Sequence, residues 1–132
     1  MKCIFCEIIE EKKVAHIVWE NTNFIAILDV NPINKGHLLL LPKKHIDDVF
    51  DMPEPLFVDI FLSAKKLAPV LKKHLHVKRI GVAIEGFHVP HVHIHLVPVN
   101  NGNELNPNRA QEASQELLAQ LAMDLSKEFD RI

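Results

Sequence analysis

One run constrains this 132-residue chain more than any other: His91-Val92-His93-Ile94-His95-Leu96-Val97-Pro98. Strict alternation of two residue types is the period of a β-strand, whose successive side chains point to opposite faces. Val92, Ile94 and Leu96 then share one face and anchor it in a core. His91, His93 and His95 share the other, about 7 Å apart at ~3.3 Å rise per residue. The outcome is a row of imidazoles on a rigid support. Such rings are nucleophiles, hydrogen-bond donors and metal ligands near neutral pH.

The remaining elements follow from periodicity and turn residues. Residues 16–20 and 23–29 read as a β-hairpin turning at Asn21-Thr22. Asn31 to Gly36, with Pro32 and Asn34, reads as a loop. Leu38 to Leu41 is a short apolar run between Gly36 and Pro42, hence a buried strand. Residues 54–76 carry apolar positions at 57, 60, 61, 64, 67, 68, 71 and 75, which is helical spacing. Pro69 is expected to kink or locally break that helix. Arg79 to Ile84 and Val92 to Val99 read as strands joined by Glu85 to Pro90. A polar loop covers Asn100 to Asn108. Residues 109–130 read as an amphipathic helix with Leu117, Leu118, Leu121 and Leu125 on one stripe. Strands, a long helix, strands and a helix predict an α+β fold: an antiparallel sheet of about five strands, a long central helix and a C-terminal helix.

The length predicts one domain, 1–132, with residues 100–132 as a C-terminal loop and helix extension. A chain of this size buries roughly two-thirds of its unfolded surface, so a sizeable core is feasible. A formal charge of −2 offers no basic footprint for nucleic acid. No apolar run reaches membrane-spanning length and the N-terminus lacks a signal-peptide pattern, so no membrane partner and a cytoplasmic location are expected. Cys3 and Cys6 lie too close for an ordinary disulfide staple and suggest a metal or redox pair.

These motifs together resemble the histidine triad family of nucleotide hydrolases and transferases. His91 to Val97 matches its alternating histidine motif in full. Cys3-Ile4-Phe5-Cys6 resembles its N-terminal signature, Phe24 to Asp29 its apolar strand ending in an acid, and Gly36 to His45 its central block. One stretch departs. Many members carry Asn or Gln shortly before a Gly-Gln-Ser/Thr-Val segment leading into the triad. Here the stretch is Ala83-Ile84-Glu85-Gly86-Phe87-His88-Val89-Pro90, with Ile84 where a polar group is usual. The departure concerns recognition of the leaving group. His88 is either a substitute donor there or a solvated loop residue.

The resemblance implies a chemistry. A neutral imidazole needs no base to attack phosphorus. His93 would attack the α-phosphate of a purine nucleotide substrate, giving a nucleotidyl-histidine that water then hydrolyses. His95 and His37 would donate to phosphate oxygens. Asp29 would hold the ribose hydroxyls, and Phe24, Ile25 and Val30 would line the base pocket, although a core role is open for each apolar residue. The implied substrates are phosphoramidates, adenylylated amines or dinucleoside polyphosphates. A noncatalytic nucleotide sensor, or a zinc-stabilised partner-binding protein, is the competing class.

Cys3, Cys6, His45 and His91 form a four-ligand set suited to tetrahedral Zn²⁺, as in zinc-bearing members; the alternative is two reduced cysteines packed as small apolar groups. A structural zinc and no catalytic metal are therefore expected. The resemblance also implies a homodimer. The broad apolar stripe of 54–76 supports it, unless the C-terminal helix covers that stripe within one chain.

Overall fold

The computed structural model of the chain describes residues 3–132. Five strands form one antiparallel sheet: β1 (Ile17–Glu20), β2 (Phe24–Leu28), β3 (Leu38–Pro42), β4 (Arg79–Ala83) and β5 (Ile94–Val99), in the order β1-β2-β3-β5-β4. Among the described residues three α-helices pack on it: α1 (Ile4–Ile9), α2 (Glu54–Leu75) and α3 (Gln115–Phe129). The fold is α+β. The β1–β2 hairpin closes on Asn21, whose Oδ1 accepts from the Asn23 and Phe24 amides at 3.0 and 2.8 Å.

The sheet has two differently covered faces. Phe24, Ala26, Leu28, Leu38, Leu40, Ile94 and Leu96 meet α2 and α3 in the main core. Ile60, Leu67 and Leu71 enter it from α2, and Leu118, Leu121, Leu125 and Phe129 from α3. The opposite face carries Ile25, Ile27, Leu39 and Leu41 beneath Cys3, Phe5 and Ile8 of the N-terminal segment. α1 is a helix the sequence reading does not assign. It has six residues, too few for a periodic signal.

Three further expectations are corrected. The first is that α2 runs unbroken through Pro69. That residue is on the solvent face, where water can take the carbonyl freed by the missing N–H. The second is that α3 starts at Gln115 rather than near 109, with the Ser114 hydroxyl capping the Leu117 amide. Residues 110–114 instead lie along the loop after β2. The Gln111 and Ala113 amides donate there to the carbonyls of Pro32 and Val30. The buried stripe of α3 accordingly ends in Phe129, while Leu117 is 63% exposed. The third is that β5 starts at Ile94, two residues later than expected. The Val92 amide donates to the Ile46 carbonyl and the His91 amide to Val89, so residues 91–93 leave the ladder.

Gly36 shows why the β2–β3 loop needs its glycine. Its φ is +89°, and a Cβ there would meet the Leu75 side chain at 2.9 Å. This turn delivers His37 to the start of β3 on the same face as Leu39.

Candidate active site

The run 91–95 lies against α1. Val92, Ile94 and Leu96 enter the main core, while the three imidazoles lie on the α1 side. The Phe5 ring stands edge-on to His91 and His93, with centroids 5.8 and 5.0 Å away. The His93 and His95 rings are 5.0 Å apart, closer than the simple strand repeat predicts.

Hydrogen bonds fix the tautomers. His93 Nδ1–H donates to the His91 carbonyl at 2.7 Å. Its Nε2 therefore keeps a bare lone pair. The Ile33 amide donates to His37 Nδ1 at 3.0 Å, so His37 carries its proton on Nε2. That proton points at His95 Nδ1, 2.9 Å away, with Asp29 Oδ2 at 3.6 Å. His95 in turn holds its proton on Nε2. Both nitrogens of His37 are thus engaged and His37 orients His95, where the sequence reading expects it to donate to a phosphate oxygen. Burial, followed by the neighbouring His95 and His93 rings, pushes His37 down to about 3. Burial and His93 push His95 down to about 4. Burial raises the Asp29 carboxyl above its usual value, partly offset by the Asn31 amide and His93.

A cleft of ≈ 670 Å³ opens over these groups. Asp29, His37, His93 and His95 line one end, and Ile4, Phe5, Ile8, Val14, Ile27 and Leu39 supply apolar wall. Of the three apolar residues expected to line a base pocket, Val30 is among those lining this cleft. Phe24 is corrected: it points to the opposite face of β2 and is buried in the main core. Ile25 is on the right face but lies under the N-terminal segment, outside the cleft lining. The wall residues of α1, with Ile27 and Leu39, are missed by the sequence reading. The parity of β2 could have found Ile27, two residues from Ile25. His16 and Gln115, also missed, bridge the rim at 2.9 Å.

The second cluster brings together Cys3, Cys6, His45 and His91, whose ligand atoms all lie within 4.8 Å of one another. Cys3 Sγ is 3.5 Å and Cys6 Sγ 3.6 Å from His91 Nδ1. His45 Nδ1 is 3.2 Å from both Cys6 Sγ and His91 Nδ1. A tetrahedron with bonds of roughly 2.0–2.3 Å has edges of roughly 3.3–3.8 Å. His91 Nε2–H donates to the Pro42 carbonyl at 2.8 Å, which turns the Nδ1 lone pair towards the sulfurs. Two thiols and this lone pair converging on one point suit a soft divalent cation, and the residues fit zinc.

A family model for the HIT domain matches residues 10–102. A HIT-like protein of Methanocaldococcus jannaschii is 37% identical over 105 residues, 76% of this chain and 81% of that one. An adenosine 5′-monophosphoramidase of Saccharomyces cerevisiae is 35% identical over 97 residues, 73% of this chain and 61% of that one. Among solved structures, a Zn-bound histidine triad family protein of Mycobacterium smegmatis superposes with a TM-score of 0.82 at 28% identity, covering 99% of this chain and 97% of that one. The alternating histidines, the sheet that carries them and these likenesses agree: this chain belongs to the HIT domain, or histidine triad, family.

Proposed function

We propose that the chain is a nucleotidyl-transferring hydrolase that cleaves purine nucleoside phosphoramidates or related nucleotides at the α-phosphate. Family membership supports nucleotide hydrolase or transferase chemistry in general, and the yeast phosphoramidase supports the narrower class. The observation that carries the reading is His93. Its Nδ1–H is tied to a backbone carbonyl, and its free Nε2 borders a cleft large enough for a nucleotide. His93 Nε2 attacks the α-phosphorus and the leaving group departs with the bonding pair. Water then releases the nucleoside monophosphate and restores His93. His95 Nε2–H stabilises the charge that builds on the phosphoryl oxygens, held in place by His37. Asp29 receives the ribose hydroxyls, and the apolar wall with Val30 receives the base.

Cys3, Cys6, His45 and His91 would hold a structural zinc that ties α1 to the triad. No catalytic metal is invoked. The partners are a small nucleotide and a second copy of the chain. Val58 and Leu62 of α2 remain 52% and 49% exposed, and Val82 of edge strand β4 50%. α3 leaves this face uncovered, which supports a two-fold dimer. Sedimentation should give about twice the 15.1 kDa chain mass, and Leu62→Asp should yield monomers.

The test of the chemistry is trapping. Rapid quenching with adenosine 5′-phosphoramidate, followed by peptide mass spectrometry, should find an adenylyl group on His93. Tight nucleotide binding with neither adduct nor released AMP would establish the sensor reading instead, which the loss of the family's Gln-Ser segment favours.

A further inference from the structure

The β2–β3 loop, residues 29–37, carries Asp29 at one end and His37 at the other. Its own backbone aims both side chains: the Asn31 amide holds Asp29 Oδ1 at 2.9 Å and the Ile33 amide holds His37 Nδ1 at 3.0 Å. Behind the loop lies a cavity of ≈ 300 Å³, with Asp29 and His37 on one wall and Leu117, Leu118 and Leu121 of α3 on another. The loop is therefore a partition between two open spaces, the large cleft in front and this cavity behind. Close packing alone does not fix a segment bordered by open space on two sides. Its position rests on tethers.

Three alternate residues of the loop are tied to β5 and the chain that follows it. The Val30 and Pro32 carbonyls accept from the Ala113 and Gln111 amides at 3.0 and 3.2 Å. The third tether grips the Asn34 side chain. Its Nδ2 group donates to the Pro98 carbonyl at 2.8 Å and to Glu104 Oε2 at 3.3 Å, and its Oδ1 accepts from the Arg109 guanidinium at 2.8 Å. Glu104 is itself pinned. Its Oε1 accepts from the Asn100 and Asn101 amides at 2.6 and 2.7 Å, and its Oε2 meets Arg109 at 3.3 Å. These donors, the Asn100 amide first, hold the Glu104 carboxyl below its usual range. An ionised carboxylate bonded on both oxygens is a fixed anchor. None of Asn34, Glu104 and Arg109 lines the large cleft.

We infer that Asn34, Glu104 and Arg109 form a clamp that positions Asp29 and the His37–His95 pair for the nucleotide, a role that rests on the nucleotidyl-transfer reading above. They are positioning residues and act through the loop alone. The Asn34 carbonyl accepts the His37 amide at 3.2 Å, so a released Asn34 frees the turn that presents His37. Movement there shifts His37 Nε2, which holds His95 at 2.9 Å. The Asp29 amide donates to the His37 carbonyl at 2.9 Å, so the two ends of the loop move together. Misplacing a reacting group by an ångström costs up to about 10²-fold in rate. The same clamp is a weak support of the whole fold. The Arg109 side chain is 44% exposed, and an ion pair so exposed adds little to global stability.

Affinity ratios and a double-mutant cycle test the clamp. Arg109→Ala and Arg109→Lys are compared with the parent, each with and without Asp29→Asn. Calorimetry gives the affinities for AMP and dAMP, and turnover of adenosine 5′-phosphoramidate gives kcat and KM. Arg109→Ala should shrink the AMP-over-dAMP ratio about threefold or more and lower kcat/KM about tenfold, with the melting temperature unchanged. Arg109→Lys keeps a cationic donor and should recover part of both. In the Asp29→Asn background Arg109→Ala should leave the ratio as it stands, because the carboxylate it positions is gone. An unchanged ratio and rate in Arg109→Ala overturns the clamp. So does a ratio loss of the same size with and without Asp29→Asn, which would make Arg109 a general support of the fold. The ratios need no turnover, so the two readings fail separately. A parent that carries no adduct on His93 overturns nucleotidyl transfer and leaves AMP and dAMP to decide the clamp.

Discussion

The histidine run feeds two clusters that resemble each other in composition and differ in where their protons lie. Around Cys3, Cys6, His45 and His91, two sulfurs and the His91 Nδ1 lone pair converge, and the His91 proton is turned away to Pro42. Around His37, His93 and His95, the Ile33 amide donates to His37 and His37 to His95, while His93 Nδ1–H donates to the His91 carbonyl. His93 stands outside that relay, and its Nε2 lone pair is left bare. The first cluster is suited to a cation. The second leaves a bare lone pair at His93 Nε2 and an N–H at His95 Nε2 beside the cleft. Identical side chains two and four residues apart reach these opposite ends because backbone carbonyls choose the tautomer of His91 and of His93.

Substitutions can break this contrast. The largest effect is expected at His93→Ala, which should lower turnover of adenosine phosphoramidate by about 10³-fold or more while AMP still binds. Parallel kinetics and calorimetry check both parts. Retention of near-parent activity would remove the nucleophile from His93.

The next effect belongs to the other cluster. Cys3→Ser and Cys6→Ser should each abolish stoichiometric zinc, read by elemental analysis. Stability should fall by a few kcal/mol, on the order of 10 °C in melting temperature. A chelated parent that melts like the zinc-loaded one would refute a structural metal.

Acid should act on the relay. His37 and His95 are pushed down to about 3 and about 4 from an ordinary 6.5. The unfolded chain binds more protons than the folded one across that window. Their contribution is therefore fully present above pH 6.5 and is lost as pH falls towards 4 and then 3. Urea unfolding should show a loss on the order of 4 kcal/mol, about 2 from each ring, between about pH 7 and about pH 5. His37→Gln should flatten that dependence, and an unchanged slope would contradict the buried neutral pair.

The smallest effect is at Asp29→Asn. The amide keeps an oxygen for the Asn31 N–H but loses its charge. Preference for ribonucleotide over deoxyribonucleotide should shrink about tenfold, with kcat little changed. Competitive binding of AMP and dAMP measures it directly.

Much of this was legible in the sequence because it depends on local parity. The hairpin, β3, α2 and β4 follow from periodicity and from Asn, Gly and Pro at their borders. Asp29, His37, His93 and His95, which only the resemblance groups in the sequence, all line the cleft. The misreadings arise where tertiary contacts override local preference. Ala110 to Ala113 are good helix formers, yet their backbone bonds to the β2–β3 loop. Val92 belongs by pattern to β5, yet the turn that brings His91 to the sulfurs pulls it out of register. Phe24 is a different case: the resemblance implies the pocket and leaves a core role open, and its face of β2 gives it the core. α1 has too few residues to announce itself. Its place is set by Cys3, Phe5, Cys6 and Ile8.

His91 belongs to both clusters at once. Its ring faces the sulfurs, and its carbonyl receives the His93 proton. If a cation fills one side and a nucleotide the other, this residue is the contact through which each would be felt. By whatever factor a cation beside Cys3 and Cys6 improves nucleotide affinity at His93, nucleotide improves cation affinity by the same factor. Metal supply would then tune nucleotide capture from a distance, with one peptide unit as the coupling element.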